Sequence, residues 1–220
     1  MVVFLDFDGV LHPEPCAGDE LFCRRPLVEE VLRDHPQVQV VISSAWRLAY
    51  RRRPISRLRQ HFSPDIAGRI VGVTPDYRRA DEAMAPNGLG LFTRQWECVD
   101  WLRAHRSPGT RWLAIDDRDY LFAPCCGNLI LCDSEVGFTP AHARELRTRL
   151  GQAALLDQVR RMVQASGRPA GFDAGAWLKS WLAQPLPALG GALPAEWLDT
   201  PEGQAIVSSI LARMQTGAYC

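Results

Sequence analysis

Four short apolar runs in this chain end in the same way, and that repetition limits the fold more than anything else in the sequence. Val2–Leu5 runs into Asp6, Val38–Ile42 into Ser43, Trp112–Ile115 into Asp116-Asp117, and Leu129–Cys132 into Asp133. A continuous apolar run a few residues long that gives way to loop chemistry reads as a strand buried on both faces. A further short strand is expected at Arg69–Val73.

Helical patterns lie between these runs. Pro26–Arg33 opens with a proline suited to a first turn, and Leu27, Val31 and Leu32 share one face. Ala45–Phe62 reads as helix interrupted at Pro54. Arg94–Arg103 is expected to bury Cys98, Val99, Trp101 and Leu102, and Thr139–Leu150 to start from a Thr139 cap. Strands alternating with helices predict an α/β fold, an open parallel sheet covered on both faces. Such sheets bind ligands beyond the carboxyl ends of their strands, so Asp6, Ser43 and Asp116 belong on one edge.

The pattern changes after Leu150. Gln152–Ala165 reads as a helix closed by Gly167, and Asp173–Ala183 as one with an aspartate cap burying Trp177, Leu178 and Trp181. A turn-rich PLPALGGALP connector leads to a last helix, Thr200–Met214, which opens with TPEG. No strand is expected there. Two domains follow, an α/β domain over residues 1–150 and a small all-α domain over 151–220.

Composition narrows the function classes. The formal net charge is zero, so no global field draws the protein to nucleic acid or an anionic membrane. A local patch remains: Arg47, Arg51, Arg52, Arg53, Arg57 and Arg59 would either track a phosphate backbone or form a solvated helix face. No apolar run has the length of a membrane span, and MVVFLDFD meets a carboxylate with no basic leader. A soluble cytoplasmic protein is the expectation. Seven cysteines, odd in number and irregularly spaced, predict reduced thiols; Cys125, Cys126 and Cys132 lack the paired spacing of a zinc site.

The chemistry-bearing residues are acids. Asp6 and Asp8, two positions apart with Gly9 behind them, present hard oxygens for a divalent cation, or are simply solvated loop acids. Ser43 either faces the same edge as a ligand group or caps the next helix, and Asp116-Asp117 serve as ligands or as turn formers. The joint order on successive strand ends favours the first reading in each case.

These residues resemble the haloacid dehalogenase-like (HAD) phosphatase superfamily. Its DxDGx[TV] motif stands as Asp6-Phe7-Asp8-Gly9-Val10, its Ser/Thr strand end as Ser43, and its paired acids as Asp116 and Asp117. The superfamily's lysine has no counterpart, because Lys179 is the chain's one lysine. SSAWR, followed by Arg94-Gln-Trp-Glu97 and Trp101-Leu102, is similar to the branch of HAD domains in Swiss Army Knife RNA repair-like proteins. That likeness assigns the lysine's place to Arg94, with Arg47 as a rival.

The resemblance implies a Rossmannoid sheet without a large cap, and phosphoryl transfer assisted by Mg²⁺. Asp6 would be the nucleophile, Asp8 the general acid and base, and Ser43 and Arg94 the phosphoryl ligands, with Ser44, Arg47 and Gly9 completing the phosphate cradle. The metal set would be Asp6, Asp8, Asp116 and Asp117. The Thr74–Phe92 stretch offers at most a modest lid. An open site of that kind implies a macromolecular phosphate, on nucleic acid or protein.

The tail carries a second likeness. Trp177-Leu178, Trp181-Leu182, Pro187-Ala-Leu-Gly-Gly, Pro194, Leu198, Asp199-Thr-Pro-Glu-Gly, Val207, Leu211 and Gly217-Ala-Tyr219 resemble the toxin-binding domain of Xre/MbcA/ParS antitoxins. This implies a RES-type toxin as partner through residues 173–220, and homo-oligomerisation through the same domain. Two alternatives follow: an antitoxin-like module that binds and neutralises such a toxin, with the α/β domain secondary or inactive, or a helical module that only stabilises the enzyme.

Overall fold

A computed structural model describes residues 1–50, 54–77, 91–167 and 171–215. The chain forms two compact units, Met1–Ala143 and Arg144–Cys220.

The first unit is built on five parallel strands in the order β3-β2-β1-β4-β5. They are β1 (Val2–Leu5), β2 (Gln39–Ile42), β3 (Ile70–Val73), β4 (Trp112–Asp116) and β5 (Leu129–Leu131). All four residues of β1 are buried, as expected of a central strand covered on both faces. Val2 and Phe4 share one face with Val41 and Ala114, and Cys98 and Trp101 of α5 (Thr93–His105) pack there. Gly72 in β3 makes room for that helix, since a Cβ there would lie 2.8 Å from the Trp101 indole nitrogen.

On the chain's first crossover, α1 (Arg25–Asp34) buries Val28, Val31 and Leu32. The stretch read as one interrupted helix is three short pieces among the described residues: α2 (Trp46–Ala49), α3 (Pro54–Arg59) and α4 (Pro64–Ala67). Each of α3 and α4 begins at a proline, which lacks the N–H a helix interior needs.

Strand order places the switch point between β1 and β4. The chain builds outward from β1 through β2 to β3, then returns to the other side of β1 for β4. Leu5 pairs with Ile42 on one side and Ile115 on the other. One residue further along that register, Ser43 and Asp116 flank Asp6. This is the crevice where open parallel sheets bind ligands.

One expectation fails informatively. Thr139–Leu150 and Gln152–Ala165 are a single helix, α6 (Pro140–Ala165), so the domain boundary read at residue 150 falls inside an unbroken element. Gly151 is not a breaker. A Cβ there would lie 2.7 Å from the Gln204 side chain, whose amide nitrogen donates to the carbonyls of Arg147 and Leu198. The glycine admits a neighbour.

The second unit is helical among its described residues, with α7 (Ala174–Leu182) and α8 (Pro201–Gln215). Asp173 caps α7 by accepting from the amides of Gly175 and Ala176, both at 2.9 Å. Leu155, Val159, Leu178, Trp181, Leu198, Val207 and Leu211 are among the residues that close its core. Trp177, read as buried, is only half-buried and stacks on Trp181 with ring centres 6.0 Å apart. Gly217-Ala-Tyr219 lies outside the described residues. No helix among the described residues is long and apolar enough to cross a membrane.

Candidate active site

The site begins where β1 runs out. The amide of Asp6 still donates to Ile115 of β4 at 3.1 Å, so the residue remains locked to the sheet, and its Oδ1 accepts from the Phe7 amide at 2.8 Å. Asp116, the last residue of β4, is fully buried; its Oδ1 accepts from the Arg118 amide at 3.1 Å.

Arg94 joins the two acids. It lies in the first turn of α5, and its Nη1 donates to Asp6 Oδ2 at 3.0 Å and to Asp116 Oδ2 at 2.7 Å. Burial opposes the guanidinium charge, but Asp6, Asp116 and Glu97 outweigh it and raise its pKa. Burial pushes the Asp116 carboxyl up to about 8, with Arg94 opposing the shift and Asp6 adding to it.

Asp117 completes an acidic triangle. Carboxylate oxygens of Asp6, Asp116 and Asp117 lie within 4.8 Å of one another. Asp117 Oδ1 is buried with no hydrogen-bond donor, and Arg118 Nε lies 3.7 Å from it. Burial first, and Asp6 second, raise its pKa to about 6. Gly9 permits this approach: it adopts φ +65°, and a Cβ on it would lie 2.5 Å from Asp117 Oδ2. The glycine of the Asp-x-Asp-Gly motif is thus packed against the second of the paired acids.

Arg47 and Arg94 differ in role, which the sequence left open. Arg47 is buried, and each of its five N–H groups has an acceptor. Nε donates to Thr74 O at 3.0 Å, Nη1 to the carbonyls of Ser43 and Ser44, and Nη2 to Pro75 O at 2.9 Å and Glu97 Oε2 at 2.7 Å. It therefore pins the turn after β2 to the segment after β3, and it offers no N–H to a phosphate. Glu97 receives this bond, lies 3.5 Å from Arg94 Nε, and also accepts from the Tyr77 amide at 3.0 Å. A buried carboxylate with one arginine on either side fixes both.

Asp8 stands apart from the acidic triangle. Its Oδ1 accepts from the Trp46 indole at 2.8 Å and faces His12 Nε2 at 3.1 Å. Ser43 is buried beside Asp6 on the other side of β1, with its amide on Leu5 O at 3.0 Å. The Ser44 hydroxyl accepts from the Trp46 amide at 3.3 Å, which is turn chemistry.

Sequence reasoning assigns no role to Trp46, His12 or Glu97. The signal for each was there: the tryptophan in SSAWR, the histidine four residues after Asp8, and the glutamate one turn after Arg94.

A cavity of about 140 Å³ opens beside Arg94, with Thr93, Arg118, Tyr120 and Leu121 in its wall. The basic patch is divided. Arg59 Nε and Nη2 donate to Ile70 O at 3.1 and 2.6 Å, Arg57 is exposed, and Arg51, Arg52 and Arg53 lie outside the described residues. Most of the Thr74–Phe92 stretch lies outside them too. The described cysteines are free thiols.

Comparison with known proteins agrees with both halves of this picture. A family model described as the HAD domain in Swiss Army Knife RNA repair proteins matches residues 2–143. A second, described as the antitoxin Xre/MbcA/ParS C-terminal toxin-binding domain, matches residues 172–217. A protein named "Prs ADP-ribosylating antitoxin", from Sphingobium sp. (strain YBL2), is 52% identical over 80 residues, which is 36% of this chain and 50% of that protein. The chain thus spans half the length of this curated relative. A sheet edge of buried acids bridged by an arginine, matched by family over residues 2–143, means that the chain belongs to the HAD domains of the Swiss Army Knife RNA repair type and carries an Xre/MbcA/ParS toxin-binding domain behind it.

Proposed function

We propose that the first unit is a Mg²⁺-dependent phosphohydrolase working through an aspartyl-phosphate, and that its substrate is a phosphate carried by a nucleic-acid end or a protein. The observation that carries this reading is the Arg94 guanidinium shared by Asp6 and Asp116 at the sheet's switch point.

The donor set suits a hard divalent ion. The three clustered side chains offer only carboxylate oxygens, and one of these, Asp117 Oδ1, is buried without a donor. Asp6, Asp116 and Asp117 would hold the ion, with Asp8 contributing through its backbone carbonyl. When bound, it would mask the negative charge that otherwise repels a carboxylate from phosphorus.

The chain's own residues do the rest. Asp6 forms a bond to phosphorus as the ester P–O bond breaks, and Asp8 gives its proton to the departing oxygen. Water then attacks the same phosphorus, Asp8 takes the water's proton, and Asp6 leaves as a free carboxylate with inorganic phosphate. Arg94 and Ser43 hold the phosphoryl oxygens as charge redistributes. Arg47 acts at one remove, through Glu97, and Gly9 through the space it leaves for Asp117.

The macromolecular substrate rests on the sequence, in which the Thr74–Phe92 stretch offers at most a modest lid and so leaves an open site.

The test is hydrolysis of 4-nitrophenyl phosphate with magnesium and with a chelator. Asp6→Asn is expected to lower the rate at least about a hundredfold in a folded protein. Equal rates for variant and wild type would remove Asp6 as nucleophile.

The second unit supports a second activity. Its match to a toxin-binding domain, together with the antitoxin name of the relative, supports binding of a RES-type toxin through residues 173–220. We place this in the cytoplasm, with homo-oligomerisation through the same unit. Phe172 is 41% exposed and adjoins the half-buried Trp177, an aromatic edge suited to such a contact. If the antitoxin activity is the principal one, Asp6→Asn will still protect cells from the co-expressed toxin; if it depends on catalysis, protection will be lost.

A further inference from the structure

We propose that Trp46 and His12 are positioning residues that hold Asp8 by one oxygen, Oδ1, and so reserve Oδ2 for proton exchange with the substrate. This rests on the acid–base role given to Asp8 above.

Both donors converge on the same atom. Trp46 Nε1 lies 2.8 Å and His12 Nε2 3.1 Å from Asp8 Oδ1. The chain brings His12 there by a tight turn, in which the amides of Val10 and Leu11 both donate to Phe7 O and Gly9 takes a positive φ. Trp46 comes from the other direction, from the turn after β2 that Arg47 pins.

Packing does not require either nitrogen. The Trp46 ring meets Phe7, Phe22 and His61 edge-on, with centres 5.8, 5.4 and 5.4 Å apart. His12 meets Phe22 at 5.4 Å and Trp46 at 6.1 Å. Phenylalanine would fill either place. His12 is instead kept 2% exposed, with its Nδ1 buried and no hydrogen-bond partner, which costs the desolvation of that atom. Facing a carboxylate, Nε2 is assigned as the donor. The orphaned nitrogen is the consequence of aiming the other at Asp8.

The arrangement divides the carboxyl group. The Asp8 side chain is 29% exposed, and both aromatic donors meet Oδ1, which leaves Oδ2 to neither of them. A general acid must keep its proton within reach of the leaving oxygen, and a freely rotating carboxyl would present it there only part of the time.

The experiment uses two esters that differ in their need for that proton. Glycerol 2-phosphate expels an alkoxide and requires protonation; 4-nitrophenyl phosphate expels a stable phenolate. The readout is the ratio of their kcat/KM values, alkyl over aryl, in the full-length protein. Trp46→Phe and His12→Leu are each expected to lower the ratio about tenfold, and Asp8→Asn further. His12→Gln keeps an N–H donor at that place and is expected to restore most of the loss. If Asp8→Asn lowers the ratio while Trp46→Phe and His12→Leu leave it unchanged, the positioning proposal falls and the acid–base role stands. If Asp8→Asn itself leaves the ratio unchanged, the acid–base reading falls, and this proposal with it.

Discussion

The two units bury opposite kinds of group. The second closes on aliphatic and tryptophan side chains, and its polar groups are satisfied at the periphery, as with Asp173 at the head of α7. The first buries Asp6, Arg47, Arg94, Glu97 and Asp116 at one edge of an otherwise apolar sheet. Ions taken out of water are costly, and an apolar replacement of similar volume often serves stability as well or better. Such a cluster stands at the strand ends, and nothing comparable lies among the described residues of the helical unit; the phosphohydrolase proposed above would account for keeping it.

The contrast can be broken most forcefully at Arg47. Arg47→Ala leaves Glu97 buried without its close partner and several carbonyls without donors, and is expected to cost about 3–5 kcal/mol. Denaturant unfolding reads the loss, and hydrogen exchange should confine it to the first unit. A loss below 1 kcal/mol would mean that the ionic cluster is not a structural unit.

Leu178→Ala opens a cavity in the apolar core and is expected to cost about 2–5 kcal/mol. Exchange should rise in α7 and α8 and leave the sheet strands protected. Equal exposure of both units would erase the distinction drawn here.

A pH series sharpens the comparison. Asp116 and Asp117 have folded-state pKa values raised from 3.8, to about 8 and about 6, chiefly by burial. Their contribution to stability is complete below the ordinary value and is lost as pH rises through about 6 and then about 8. Metal-free protein should therefore unfold more easily at pH 8 than at pH 5, and magnesium should reverse the trend at pH 8. Thermal melts at fixed ionic strength test both. Core substitutions in the helical unit should not alter that slope.

The smallest effect is at the α7 cap. Asp173→Ala removes the oxygen that accepts from two amides and is expected to cost about 1 kcal/mol, seen as a modest fall in the melting temperature.

Much of the first unit was legible because its signals are local. A buried strand ending in an acid needs no distant information, so Asp6 and Asp116 stood out, and the alternation of elements predicted the sheet. The rivalry of Arg47 and Arg94 was not legible in that way. Both are arginines at the start of a helical turn, and what separates them is that one meets two carboxylates while the other meets carbonyls and Glu97. The division of α6 at residue 150 failed for a related reason: the helix runs through Gly151, and the space this residue leaves is filled by Gln204 from far along the chain.

By itself the sequence determined where the strands form and which acids stand at their ends, since burial pattern and capping act over a few neighbouring residues. Only tertiary structure decided which arginine bridges those acids, why Gly9 must lack a side chain, and that Trp46 and His12 both reach Asp8. Those outcomes depend on atoms brought together across the sheet and its turns, at distances where an ångström separates a hydrogen bond from none.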